Sequence, residues 1–188
     1  MDKSKKNKIS IMTKENLINC WKDEDEICVN MGKPNFNLGR ILSKKYSINE
    51  DFFLEGFRLN FVSFGNPHAV IFVENIDRLE DIDIEKIGSK IEKNSIFSNG
   101  INVEFACILE NDSIRMRVWE RGAGITMACG TGACATLVIA NILKKSKRKN
   151  IIVLDGGKLQ VNWENNDDII MRGPVATVFK GDYYERRY

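Results

Sequence analysis

One stretch constrains this chain more than any other. Residues 120–134, ERGAGITMACGTGAC, crowd glycines and small side chains between a segment that alternates like a strand, Ser113–Trp119, and an apolar, helix-compatible run, Leu137–Leu143. The stretch therefore joins a strand to a helix. Cys129 falls at or just before the helix N-terminus, where free N–H groups and the dipole favour an anion, so its pKa is expected to be lowered toward a reactive thiolate. Glycines let the backbone approach a ligand closely. A carboxylate can dock on the N–H groups of Gly130 and Thr131 as a phosphate docks on a P-loop. A thiolate beside such a nest suits proton abstraction next to a carboxylate. The same residue types also suit a purely structural tight junction, and both readings stand at this point. Cys134 lies five residues further on, points to a different helix face, and is expected to pack against the sheet. Gly-Thr-Gly is not part of a dinucleotide fingerprint, because the G-x-G-x-x-G spacing and an acidic residue closing a following strand are both lacking.

Around this junction the chain reads as short strands. Residues 8–13 and 27–31 are strand-like, and Lys22–Glu26 between them reads as a solvated turn. Residues 35–55 are irregular, with edge pairing. Alternation returns over Phe57–Phe64, and the tight turn Gly65-Asn66-Pro67-His68 leads into the apolar run Ala69–Val73. Asp83–Lys93 places Ile84, Ile87 and Ile91 at helical spacing, with Asp81 or Asp83 near its N-terminus. Ile101–Leu109 and Ser113–Trp119 form a hairpin. The cations from Lys144 to Lys149 suit a solvated helix C-terminus. Strands are expected again at Ile151–Leu154, Lys158–Trp163, Asp168–Met171 and Val175–Phe179. Ten or so strands and two helices make an α+β fold, with a mostly antiparallel sheet wrapped around a central helix.

Composition narrows the function classes. With 28 Lys+Arg against 26 Asp+Glu the chain has a net charge of +2, which argues against a nucleic-acid binder. No apolar stretch approaches the roughly 20 residues of a membrane span, and the basic start lacks the apolar core of a signal peptide. A cytoplasmic protein is expected. The five cysteines are odd in number and irregular in spacing, and none forms a Cys-x-x-Cys pair, so neither a disulfide framework nor a metal site is expected. Cys20, Cys28 and Cys107, flanked by strand-like residues, read as buried, reduced hydrophobes.

The run WERGAGITMACGTGACAT at 119–136 resembles the second active-site motif of the diaminopimelate epimerases, amino-acid racemases that use two cysteines and no pyridoxal phosphate. Similar segments follow the family's order: VNMGKPNF at 29–36, GNPHAVIFV at 65–73, NVEF at 102–105 and GPVATVFKG at 173–181. The resemblance covers nearly the whole chain. It implies the family's fold, an isomerase activity in lysine and peptidoglycan precursor synthesis, an amino-acid substrate and no cofactor. It also implies three pieces: residues 1–40 from an N-terminal domain, 41–173 as a C-terminal domain, and 174–188 as a closing strand returning to the first.

Residue by residue, the resemblance makes Cys129 the family's second catalytic cysteine, a thiolate base for one enantiomer and a thiol acid for the other. His68 matches the histidine that assists the cysteine chemistry. Gly130 and Thr131 match the backbone donors to the substrate α-carboxylate. Glu120 and Arg121 match groups that grip the distal end of the substrate and support the site, while Asn66 and Asn102 match substrate-binding asparagines. The family's first cysteine lies in a Cys-Gly-Asn-Gly motif upstream of the VNMG-like segment, and no such motif precedes Val29 here. Cys20 lacks those glycines and is no substitute. The resemblance thus implies that about the first third of a family member is absent, and that this chain alone has little or no epimerase activity. A homodimer or a complementing N-terminal fragment is the expected protein partner. Ile125 stands where the family motif has an acidic residue, so related racemases acting on histidine or lanthionine-type amino acids, and an inactive fragment that only binds or pairs, remain alternative readings.

Overall fold

Alternating segments dominate the chain, and in the computed structural model they assemble edge to edge into a single path of strands. The structure describes residues 8–13, 17–37, 51–182 and 184. The strands are β1 Lys8–Met12, β2 Leu17–Asp23, β3 Glu26–Asn30, β4 Phe52–Leu54, β5 Phe57–Ser63, β6 Pro67–Phe72, β7 Asn102–Ile108, β8 Ile114–Glu120, β9 Gly124–Ile125, β10 Lys149–Leu154, β11 Gly157–Trp163 and β12 Ile169–Pro174. Helices α1 (Ile76–Glu80) and α2 (Ile84–Glu92) connect β6 to β7, and α3 (Gly130–Ile142) connects β9 to β10. The order across the sheet is β1-β2-β3-β12-β11-β10-β8-β7-β6-β5-β4, with β9 paired to β8. Among the described residues only the β6–β7 and β8–β10 pairs are parallel, each spanned by a helical connection. The architecture is therefore the expected mostly antiparallel α+β sheet.

Helix α3 explains why the sheet curls. Its residues from Gly132 to Ala140 are all buried, so it has no solvated face. A helix apolar on every side must be enclosed, and α3 touches β5, β6, β7, β8, β10, β11 and β12. Leu137, Val138 and Ile139 form the centre of one core with Met116, Val118, Ile152 and Val161. A second core lies on the sheet's other face, where Leu79, Ile84 and Ile91 of α1 and α2 meet Phe61, Ile71 and Phe105. Local signals start these helices: the Asn75 side chain accepts from Arg78 N–H, and Asp83 accepts from Lys86 N–H, each an N-cap. Gly65 turns β5 into β6 at φ +94°, a value that favours glycine. Among the described residues no helix is long and apolar enough to cross a membrane.

Three local expectations are corrected. The segment Leu17–Asp23 is a strand, and the turn narrows to the two residues before Glu26. Only Cys20 of that strand is buried, so its period-2 signal is faint. Helix α1, with Leu79 as its one buried residue, is too short to show a period. Val175–Phe179 forms no strand: Pro174, opposite Glu26, lacks an N–H to continue the ladder, and β3 ends at the same point. The expected edge pairing within 35–55 consists of β4 and a bridge from Asn35 to Ser63, while residues 38–50 lie outside the described residues.

Candidate active site

Three strands aim their side chains at the N-terminus of α3. On β7, Val103, Phe105 and Cys107 join the α2-side core, so alternation sends Asn102, Glu104 and Ala106 to the α3 side. On β6, Val70 belongs to the α3 core and His68 shares its face. On β8, Met116 and Val118 line α3, and Glu120 follows them. His68, Asn102, Glu104 and Glu120 are thus turned to one face of the sheet by strand period.

Cys129 is the N-cap of α3. Its backbone is extended (φ −131°, ψ 109°) and its Sγ accepts from Gly132 N–H at 3.3 Å. The Thr131 hydroxyl stands 3.5 Å from the same sulfur and accepts from Asn66 Nδ2 at 3.1 Å. The N–H groups of Gly130 and Thr131 open the helix and have no intrahelical acceptor, which leaves them for an anion. Thr131 faces a cleft of about 320 Å³ lined by Ile18, Met31, Asn35, Phe64 and Gly65. Larger hollows of about 630 and 520 Å³ lie by Lys144–Asn150 and by Asn75–Asp77, away from all these groups. The smaller cleft is the relevant one, because Thr131, whose hydroxyl stands beside the Cys129 sulfur, lines it.

The expected lowering of the Cys129 pKa is reversed. Burial is the largest cause, the Glu104 carboxylate is the next, and Glu120 adds to them; the bonds from Thr131 and Gly132 oppose the rise. The balance pushes the thiol up to about 12. The helix N-terminus is present, but the site removes water from the sulfur and puts two carboxylates near it. Cys129 is a thiol as it stands.

His68 and Glu104 form a fully buried pair, with Nδ1 and Oε1 at 2.6 Å. Glu104 also crowds the helix: a Cβ on Gly132 would stand 2.7 Å from Glu104 Oε1 and 3.2 Å from Cys129 Sγ. Sequence context alone assigns Glu104 no role. The detectable signal was a charged residue in the interior of an otherwise apolar strand, NVEFACI.

Glu120 Oε1 accepts from the Thr126 hydroxyl, which fixes the carboxylate beside the loop to Cys129. Asn102 is engaged at both ends of its amide: Nδ2 donates to Pro67 O at 2.9 Å and Oδ1 accepts from Arg121 N–H at 2.9 Å. It therefore clamps the β5–β6 turn to the loop after β8. The Arg121 guanidinium is exposed and donates to Asn99 O at 3.2 Å, away from the sulfur's immediate contacts. Glu92 of α2 steadies the same loop, accepting from Trp119 Nε1 at 2.6 Å and Gly122 N–H at 2.9 Å. Cys134 is wholly buried in the α3 core, and all five cysteines are free. Among the described residues no group of three or more His, Cys, Asp or Glu side chains is placed to hold a metal ion.

Comparison with known proteins gives a consistent likeness. A family model described as diaminopimelate epimerase matches residues 60–178. The chain is 44% identical over 162 residues to a diaminopimelate epimerase of Phocaeicola vulgatus, covering 84% of this chain and 57% of that protein. It is 47% identical over 127 residues to one of Acetivibrio thermocellus (67% and 44%) and 42% identical over 160 residues to one of Methanococcus maripaludis (82% and 57%). The chain thus spans roughly half the length of these relatives. Among solved structures, a hydroxyproline epimerase from Agrobacterium vitis superposes with TM-score 0.58 at 14% identity, over 89% of this chain and 58% of that one. A putative phenazine biosynthesis PhzC/PhzF protein from Clostridium difficile gives 0.62 at 10% identity, over 95% and 66%. Both likenesses concern the fold.

Proposed function

The chain belongs to the diaminopimelate epimerase family, and from that premise we propose that it acts on the α-carbon of diaminopimelate as the Cys129 half of a cofactor-free, two-cysteine epimerase of the cytoplasm. The observation that carries this reading is the placement of Cys129 Sγ at the N-cap of α3, beside the free N–H groups of Gly130 and Thr131. A substrate α-carboxylate docks on those N–H groups, where the helix dipole stabilises the charge that develops when the α-proton leaves. The arriving α-ammonium group puts positive charge near the sulfur and draws its pKa down. The thiol proton first passes to water, and in the forward step the Cys129 thiolate takes the α-proton: the Cα–H bond breaks, an S–H bond forms, and the electron pair stays on the α-carbon, delocalised into the carboxylate. In reverse, the thiol returns a proton to the same face.

In this reading Glu120 and Arg121 face the distal end of the substrate and Asn66 holds Thr131 in place. Asn102 acts through the two loops it joins, and His68 acts through Glu104. Residues 1–40 belong with an N-terminal half and 41–173 with a C-terminal half, the two being joined where β12 pairs with β3. A complementing N-terminal fragment is the partner that brings the opposite thiol, and a second copy of the chain, which lacks the Cys-Gly-Asn-Gly motif, pairs without supplying it. Ile125, 48% exposed on β9 where the family motif is acidic, favours a second reading in which the substrate is a histidine- or lanthionine-type amino acid.

Incubation of the purified 188-residue chain in D₂O with LL- or meso-diaminopimelate, histidine and lanthionine tests this. The expected result is deuterium at the α-carbon of one substrate without inversion, lost in Cys129→Ala. Inversion by the chain alone overturns the need for a partner. No exchange, with no labelling of Cys129 by an aziridine mimic of the substrate, favours a fragment that only binds or pairs.

A further inference from the structure

We propose that Glu104 is a positioning residue for the reaction at Cys129: held by His68, its buried carboxylate keeps the sulfur in the thiol form until a substrate cation arrives. This deepens the proposed reaction by naming the group that governs its thiol. Both side chains of the His68–Glu104 pair are completely buried, and they meet through a single 2.6 Å contact. Their other polar atoms, His68 Nε2 and Glu104 Oε2, have no hydrogen-bond partner among the described residues. A fold seldom leaves buried polar atoms of two contacting side chains unpaired, and such exceptions call for an explanation.

Geometry supplies one. Glu104 Oε1 and Cys129 Sγ flank the same bare Cα, that of Gly132, and a methyl group there would collide with the first and press on the second. The absence of a side chain at 132 is what lets the carboxylate approach the sulfur. The charged groups acting on Cys129 are Glu104 from β7 and Glu120 from β8, with His68 of β6 reaching it through Glu104; Cys134 of α3 is acted on by the Cys129 sulfur in turn. Hydrogen bonds from Thr131 and Gly132 oppose the carboxylates. Of the two carboxylates, Glu104 weighs more on the sulfur. Glu120 is also bonded to Thr126 and only half-buried, so water shares its charge.

The sign of the charge gives a test that loosening of the core cannot imitate. Carbamidomethylation of Cys129 by iodoacetamide is followed at pH 8 in the 188-residue chain, site by site, by mass spectrometry. Glu104→Gln removes the negative charge and is expected to label about tenfold faster or more, because one charge near a thiol shifts its pKa by a unit or more. His68→Gln leaves the Glu104 carboxylate in place beside the sulfur, and is expected to label no faster than the parent. A merely structural pair would loosen in both variants and speed labelling in both. The inference is overturned if Glu104→Gln labels at the parent rate or slower, or if His68→Gln labels as fast as Glu104→Gln. Should Glu104→Gln fail to fold by circular dichroism, His68→Gln decides alone, and labelling faster than the parent overturns the inference. Labelling needs no turnover, so a chain that labels as stated yet exchanges no α-proton sinks the proposed reaction and leaves this assignment standing.

Discussion

Nδ1 of His68 and Oε1 of Glu104 stand 2.6 Å apart where neither side chain reaches solvent. The two residues are 36 positions apart in the chain. They meet because β6 and β7 run parallel with Val70 opposite Glu104 and His68 opposite Asn102, which makes them diagonal neighbours on one face. A histidine, two carboxylates and a thiol are therefore organised by sheet register around the start of one helix.

The raised Cys129 pKa has a consequence for stability. The folded state binds the thiol proton more tightly than the unfolded chain, whose cysteine titrates near 9.0. Its contribution is thus fully present below that value and is lost as pH rises toward about 12. Burial raises the buried Cys134 thiol as well, in the same direction. Urea midpoints are expected to fall between pH 9 and 11, less steeply in Cys129→Ala than in the parent. Parallel curves for the two proteins would contradict the burial of this thiol.

Gly132→Ala should be disproportionately damaging for so small a change. The new Cβ would meet Glu104 Oε1 at 2.7 Å and Cys129 Sγ at 3.2 Å. Overpacking of this kind costs about 1–3 kcal/mol, and here it also displaces the carboxylate. A lower urea midpoint together with faster iodoacetamide labelling of Cys129 is expected. Gly122→Ala is an unsuitable control despite its open surroundings, because Gly122 sits at φ +75°. Ala133→Gly, on the buried side of the same turn, controls for helix propensity.

Asn102→Ala breaks the bonds to Pro67 O and Arg121 N–H together. Leaving buried backbone groups unpaired costs about 1–3 kcal/mol. The two loops at the site lose their link, so any α-proton exchange should fall along with stability. Asn102→Asp keeps the acceptor for Arg121 N–H and loses the donor to Pro67 O, and it is expected to fall between the two. Thermal melts and D₂O exchange on the same preparations check both claims, which fail if Asn102→Ala melts with the parent.

The β1 edge should drive self-association. Ile9 and Ile11 are 47% and 46% exposed on a strand whose one described sheet neighbour is β2. Leu17 and Met12 beside them are more exposed still. An apolar edge with free backbone groups recruits another strand. Light scattering across a concentration series is expected to show mass rising above that of a monomer, and Ile9→Lys with Ile11→Lys to reduce it. A monodisperse monomer at all concentrations would refute the expectation.

Much of the scaffold around the site could be read from the chain itself. The Asp83 cap with Ile84, Ile87 and Ile91 at helical spacing pointed to α2, and the alternation on either side of Glu110–Asp112 pointed to the β7–β8 hairpin. Glycines and a cysteine before an apolar run pointed to the start of α3 at Cys129. β2 and α1 were missed because each buries a single side chain, Cys20 and Leu79 respectively, and a period needs several buried positions to register. The strand expected past Pro174 failed because propensity at Val175–Phe179 says nothing about whether a neighbouring strand extends far enough to pair with it.

The features legible in the chain alone are local in origin: which residues cap α2 and α3, which strands alternate, and the run of motifs that places the chain in its family. The state of the thiol was decided by the tertiary structure. Capping and periodicity act over a few residues and are written in consecutive letters, and on that basis Cys129 looked like a thiolate. The pKa of a buried group depends on the water the fold excludes and the charges it gathers, and here burial and Glu104, a residue 25 positions upstream on another element, outweigh the helix N-terminus. Asn102 follows the same logic, since its two partners lie on separate loops that meet only when β6, β7 and β8 take their register.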